Sequence, residues 1–485
     1  MNPVTVFLVI SGYFAVLIMI SHFSSRNADS DTYFTGNRQS PWYVVAFGMI
    51  GASLSGITFI SVPGEVGNSN LHYFQLVIGF LVGFFVIANV LLPLYYKWKV
   101  VSIYSYLGKR FGLYSHKTGS LFFLASQSIG ASLRLFVVAG VLQLAFFDHL
   151  KIPFFITVVV TILLIWIYTR KAGIKTIVWT DTFQTTVMLF SVITSILIIA
   201  KQLHLTPGSM IQTIAEHPYS RIFNWDWNHE TYFFKQFITG ALVAIAMTGL
   251  DQNEMQKNLT CRNLPDAKKN MYWFSVSLVL TNLLFLSLGV LLYAFVQKMN
   301  IALPTGPAGE YINSDDLYPN LTLNYFSPAA GIIFLCGITA AAFSSADSAL
   351  TSLTTAFCTD ILNLKNKSDI EKIRVRRRVN IGISIMIIGI IMIFRAINNE
   401  SVINTVYTVA GYTYGPLLGL YAFGLFTSIP IKDKWVPVIC VFAPVISYFM
   451  NIYTYRLFDF KFGFSVLLVN GLITFLGLWI IRNRS

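Results

Sequence analysis

Long apolar runs broken by short polar ones set the pattern of this chain. Runs of about 20 apolar residues are long enough to cross a bilayer as helices. Thirteen such runs occur, near 3–23, 42–67, 74–96, 120–147, 152–169, 178–200, 236–256, 272–297, 327–360, 380–397, 402–427, 435–453 and 463–481. The connections are short and leave no room for a separate soluble domain. The first run, Met1 to Ile20, has no basic start and no small-residue cleavage site, so it reads as a retained span rather than a signal peptide.

Two runs depart from a plain membrane helix. The second contains Gly48, Gly51 and Gly56 with Ser53, Ser55 and Thr58 among them, followed by Pro63-Gly64-Glu65. Five spans later the seventh runs into Thr248-Gly249-Leu250-Asp251-Gln252. Polar groups at membrane depth need partners or a water-filled cavity. Interrupted helices at matching places in two halves point to a transporter with inverted repeats, here 42–200 and 236–427. Residues 1–41 then add a first span and inner loop, and 428–485 add two more spans. Taken singly, the glycines would be explained by close helix packing; it is the matched pair that predicts two broken helices.

Composition agrees. Only 11% of the 485 residues are charged and 55% are hydrophobic, against roughly 25% charged in soluble chains. A soluble enzyme and a nucleic-acid binder are thereby excluded, despite a net charge of +13. Lys and Arg concentrate in alternate loops, with seven between Leu362 and Arg378 alone. That asymmetry predicts an outside N-terminus and a cytoplasmic C-terminus in a plasma membrane of the bacterial inner-membrane type. The four cysteines have no paired spacing and read as small buried hydrophobes. No His-Glu-x-x-His and no phosphate-binding Gly-Lys-Ser/Thr loop is present, so enzyme chemistry and direct use of ATP lack support. Uphill transport would then draw on an ion gradient, with no cofactor beyond the coupling ion.

Three places carry candidate chemistry. In the ninth span Ala341, Ser344, Ser345, Ser348 and Ser352 share one helical face. Hydroxyls and carbonyls at a discontinuity suit a hard alkali cation, although an Ala/Ser stripe is also a packing surface. Asp347 on that span is a carboxylate at membrane depth, a functional hypothesis by default. Arg134, deep in the fourth span, must face a cavity, a bound anion or an internal carboxylate such as Asp181 or Asp347. Asp181, placed at the start of the sixth span, reads either as a helix cap or as part of a second cation site.

These residues resemble a known family. The stretches Asp31-Thr32-Tyr33-Phe34-Thr35-Gly36-Asn37-Arg38, Tyr104-Ser105-Tyr106-Leu107-Gly108-Lys109-Arg110-Phe111, Val178-Trp179-Thr180-Asp181, Ser344-Ser345 and Gly415-Pro416-Leu417-Leu418-Gly419-Leu420 resemble, in order and spacing, the sodium/solute symporters. The resemblance implies an all-α fold like that of the amino-acid transporter LeuT, with inverted five-helix repeats and alternating access by a functional monomer in the lipid. It implies sodium at Gly51, Leu54, Ala341, Ser344 and Ser345, and a second cation at Asp181, Ser344, Asp347 and Ser348. Asp347 stands where the family pattern has a serine.

The solute side is similar to the sialic acid symporters of that family. Ser55, Thr58 and Arg134 match residues expected to meet the sugar acid. The glutamine those proteins use falls on Val77, with Gln75 close by, and Tyr407 should face the pocket. The expectation is sodium-coupled import of a small carboxylate such as sialic acid. The alternatives are a neutral sugar, polyol or vitamin with Arg134 locked in an internal salt bridge, and, with less support, a membrane-embedded enzyme or solute sensor.

Overall fold

A computed structural model describes residues 3–24, 30–100, 102–169, 173–305, 314–364, 367–397, 402–458, 460 and 462–483. Helices carry almost all of them, as they must where no water is present to satisfy backbone groups. The main helices are α1 (Pro3–Ser24), α2 (Trp42–Ser69), α3 (Tyr73–Lys97), α4 (Leu113–Leu142), α5 (Phe154–Thr169), α6 (Ile174–Gln202) and α7 (Phe233–Gly249). They continue with α8 (Gln252–Asn258), α9 (Leu264–Lys298), α10 (Pro328–Ile361), α11 (Asp369–Ile397), α12 (Val402–Phe426), α13 (Val436–Phe458) and α14 (Val466–Ile480).

The count of thirteen spans is not reached on length and apolar content. Ten helices among the described residues are long and apolar enough to cross a membrane, or eleven if α7 and α8, bent by 71°, form one span. The other two expected runs are helical as well. However, α5 has only 16 residues, and α12 is diluted by Tyr407, Tyr412, Thr413, Tyr414 and Pro416. Of the basic residues in the loop after α10, Lys365 lies outside the described residues.

Burial sorts the helices into an inner and an outer set. The most apolar stretch of α2 is 89% buried and that of α10 78%, whereas for α1, α11 and α13 the figure is 22%. The inner helices are rich in Gly, Ala and Ser, and the outer ones present Ile, Phe and Leu to the lipid. Around α2 pack α6, α9 and α10; α3 pairs with α7, and α12 with α14. Between α3 and α7 the backbones nearly touch. A side chain at Gly79 would strike the carbonyl of Phe237, and one at Gly240 the carbonyl of Leu76. Small residues at such a crossing let helices associate in lipid, where no hydrophobic drive exists between them.

Candidate functional site

The first interruption falls at Ser55. Its backbone has φ 35° and ψ 169°, inside an otherwise helical α2, in a region that side-chain-bearing residues rarely adopt. The glycines around it divide the work. Gly51 meets α6 face to face: its amide donates to Thr185 Oγ1 at 3.0 Å, and Thr185 Oγ1 donates to the Gly48 carbonyl at 3.4 Å. Gly56 lies against Val138 and Ala342, so the break runs beside the serine face of α10. Close packing and interruption, set as alternatives for these glycines, are both present in one helix.

The second interruption lies between α7 and α8 and is heavily capped. Asp251 accepts from the amides of Asn253 at 2.7 Å and Glu254 at 3.4 Å, as an N-cap. Tyr414 donates its hydroxyl to the Asp251 carboxylate. Tyr95 and Tyr104 donate to the carbonyls of Gly249 and Leu250 at 2.9 and 2.8 Å. Ser53 of α2 donates to Glu254 Oε2 at 3.3 Å, which joins the two broken helices directly.

On α10, Ser345 Oγ donates to the Ala341 carbonyl at 2.9 Å, and Ser344 Oγ donates to Asp181 Oδ1 at 2.7 Å. Ser348 Oγ donates to Asp347 Oδ1 at 3.2 Å and reaches Asp181 Oδ2 at 3.5 Å. Tyr168 of α5 donates to Asp347 Oδ2 at 2.9 Å. Lys257 of α8 puts Nζ at 2.9 Å from Asp181 Oδ2, and both side chains are 1% exposed. The expected grouping of Asp181, Ser344, Asp347 and Ser348 therefore forms.

Two expected alternatives do not survive. Asp181 is no helix cap, because α6 begins at Ile174 with Gly173 as its N-cap. The amphipathic stretch before Asp181 extends the helix by two turns and carries the aspartate into the buried middle. Neither Asp181 nor Asp347 pairs with Arg134; their partners are Lys257 and Tyr168.

Arg134 stands past the middle of α4 and is half-buried. Among the described residues it forms no ion pair. It lines a cavity of about 110 Å³ together with Leu54, Ser55, Thr58, Thr248, Glu254, Asn282 and Tyr407. Phe80, Phe84, Val243, Met247, Leu278 and Val406 form the apolar wall of that cavity. Tyr73 also lines it, and its hydroxyl meets that of Tyr407 at 2.8 Å. Gln75 lies outside. Its Nε2 donates to the carbonyls of Thr231 at 2.9 Å and His72 at 3.2 Å, and its Oε1 accepts from the Asn224 amide at 3.1 Å. One turn into α3, it serves to pin the 224–231 segment. Tyr73, Tyr168, Glu254, Asn282 and Lys257 were not anticipated. The available signal was Asp347, a carboxylate at membrane depth, which calls for a nearby cation or donor.

The pattern that defines the sodium:solute symporter family matches residues 33–429. The chain belongs to that family. This symporter is 25% identical to the sodium/sialic acid symporter of Proteus mirabilis, over 87% of this chain and 84% of that protein. It is 24% identical to the human sodium/iodide cotransporter, over 86% of this chain and 65% of the relative. Its fold is similar to that of a sodium-coupled sialic acid symporter solved in a substrate-bound outward-open state, with TM-score 0.81, 20% identity and 99% of each chain covered. It is also similar to Mhp1, a nucleobase-cation-symport-1 transporter, with TM-score 0.53, 13% identity and 93% of each chain covered. The fold is thus of the LeuT kind. The chain is a multi-pass membrane protein and a sodium-coupled symporter.

Proposed function

We propose that this symporter imports a small organic carboxylate, such as a sialic acid, with Arg134 as the partner of the carboxylate. A single observation carries the reading: a half-buried guanidinium with no ion pair among the described residues, facing a cavity beside a broken helix. A guanidinium fork matches a carboxylate with two parallel hydrogen bonds. Ser55 and Thr58 line the same cavity, as does Tyr407, hydrogen-bonded to Tyr73. The Proteus mirabilis relative, named for sialic acid transport, supports the same class of solute.

Sodium in this reading takes the carbonyls of Gly51, Leu54 and Ala341 and the hydroxyls of Ser344 and Ser345. It clips the first broken helix to α10 and completes the cavity wall at Leu54 and Ser55. Solute bound there holds the clip closed in turn, so each raises the affinity of the other by the same factor. Release of both on the far side lets the empty carrier return, the repeats 42–200 and 236–427 rocking about the site. The N-terminus lies outside the plasma membrane and the C-terminus in the cytoplasm, and one copy suffices.

The test is Arg134→Gln, assayed for sodium-driven uptake of sialic acid into proteoliposomes. Loss of a charge-assisted pair weakens binding by about 2 kcal/mol, so KM rises at least tenfold or uptake is lost. The melting temperature stays within a few degrees, since no ion pair is broken. Unchanged carboxylate uptake would overturn the reading in favour of a neutral sugar, polyol or vitamin. The cavity itself favours a second version. Its wall of Phe80, Phe84, Val243, Met247, Leu278 and Val406 offers few partners to a hydroxyl-rich sugar acid and suits an apolar monocarboxylate. Competition by short branched or aromatic monocarboxylates against sialic acid separates the two.

A further inference from the structure

The four side chains expected around a second cation do come together, but a cation of the protein's own is already among them. Ser344 binds one oxygen of Asp181 at 2.7 Å. Lys257 Nζ lies 2.9 Å from the other, and that oxygen is also the one Ser348 reaches. The lysine is 1% exposed, and its ammonium lies at charge-assisted hydrogen-bond distance from that oxygen. Asp347 and Glu254 also face it. It comes from α8, the arm after the second break, and spans to α6 and α10 much as sodium at Ser344 and Ser345 would span from the first break to α10.

An ammonium and a sodium ion ask for the same surroundings: oxygen ligands and nearby negative charge. In a dry site the field of one excludes the other, because two unit charges a few ångström apart repel strongly when water does not screen them. Resting on the sodium-coupled reading above, we propose that Lys257 serves as a tethered cation at the second position, so that one sodium ion accompanies each solute.

The experiment counts sodium ions bound per chain on the purified full-length protein with radioactive sodium, alongside melting temperature in sodium and in potassium. The wild type should bind one ion, with a Hill coefficient of about one. Lys257→Met removes the ammonium and leaves Asp181 unpaired. It should bind two ions and gain most of its stability back when potassium is exchanged for sodium. Ser345→Ala should abolish binding in the wild type and leave one ion in Lys257→Met. Two ions on the wild type would overturn the proposal, and so would one ion on a folded Lys257→Met. Should that variant not fold, the wild-type count decides. No ion on the wild type, with no sodium effect on melting, would instead remove the coupled-symport reading and this proposal with it.

Discussion

The two broken helices interrupt the same architecture at matching places and are finished in opposite ways. At the second break the protein completes its own structure: Asp251 caps α8, and Tyr95 and Tyr104 take the carbonyls of Gly249 and Leu250. Lys257 then ties the arm to Asp181. At the first break, a single side chain, Thr185, bonds both Gly48 and Gly51 on the near side. Among the described residues no side-chain donor to a carbonyl between Ala52 and Thr58 stands out as Tyr95 and Tyr104 do at the second break. A discontinuity at membrane depth must be satisfied by protein, water or ligand. Side chains finish the second break, whereas at the first the proposed sodium and solute would take that part. Difference in finish, rather than in sequence motif, separates the anchored arm from the responsive one.

The sharpest way to break that contrast is at the anchor. Asp181→Asn leaves the Lys257 ammonium buried without the carboxylate it touches. Removing one member of a buried pair destabilises by about 3–5 kcal/mol, so the variant should melt many degrees lower or fail to fold. Asp181→Asn combined with Lys257→Met should recover part of the loss, because two neutral groups replace a buried charge left without that contact. A single variant as stable as the wild type would mean that the pair anchors nothing.

A smaller effect is expected at the cap. Asp251→Ala removes the acceptor for two α8 amides and for Tyr414, and loss of an N-cap costs about 1–2 kcal/mol. Asp251→Asn keeps the capping oxygen and should retain most of the stability. Sodium affinity should change little in either, measured by the sodium dependence of melting, since the cap belongs to the self-completed break. A large drop in sodium affinity would show that the two breaks are not finished independently.

Much of this was legible in the sequence. Apolar runs located the helices because lipid forces every backbone group to be satisfied within its own span. Gly48-Gly51-Gly56 and Gly249-Leu250-Asp251 marked the breaks because glycine and a capping acid are what a helix end requires. Ser344, Asp347 and Ser348 share a face by helical spacing alone, and the grouping with Asp181 followed from resemblance. Lys257 was missed because it falls one residue past the expected seventh span, 236–256, where a lysine reads as a loop charge. Only the fold shows that all seven residues of α8 are buried. Gln75 was misplaced for the converse reason: closeness in sequence to Val77 says nothing about which way a side chain points one turn into α3. For Arg134 the sequence left a cavity, a bound anion and an internal carboxylate open; it lines a cavity, and the two carboxylates named for it are committed to a lysine and a tyrosine from distant helices.

The finest test of the contrast is Ser55→Gly. Ser55 holds φ 35° and ψ 169°, a conformation that costs a residue with a side chain about 1–3 kcal/mol and glycine little. If the first break is left for ligands to finish, this strain is part of what ligands must hold in place. Glycine relieves it in the folded state while gaining freedom in the unfolded one, so the net gain should be modest, about 1 kcal/mol or less in melting experiments without ligand. The same change removes a hydroxyl from the cavity and loosens the hinge, so uptake should fall even as stability rises. Ser55→Ala separates the two causes, since it removes the hydroxyl and keeps the strain. Equal loss of uptake in both variants would assign the effect to the hydroxyl. A larger loss in Ser55→Gly would assign it to the hinge, where the two broken helices differ.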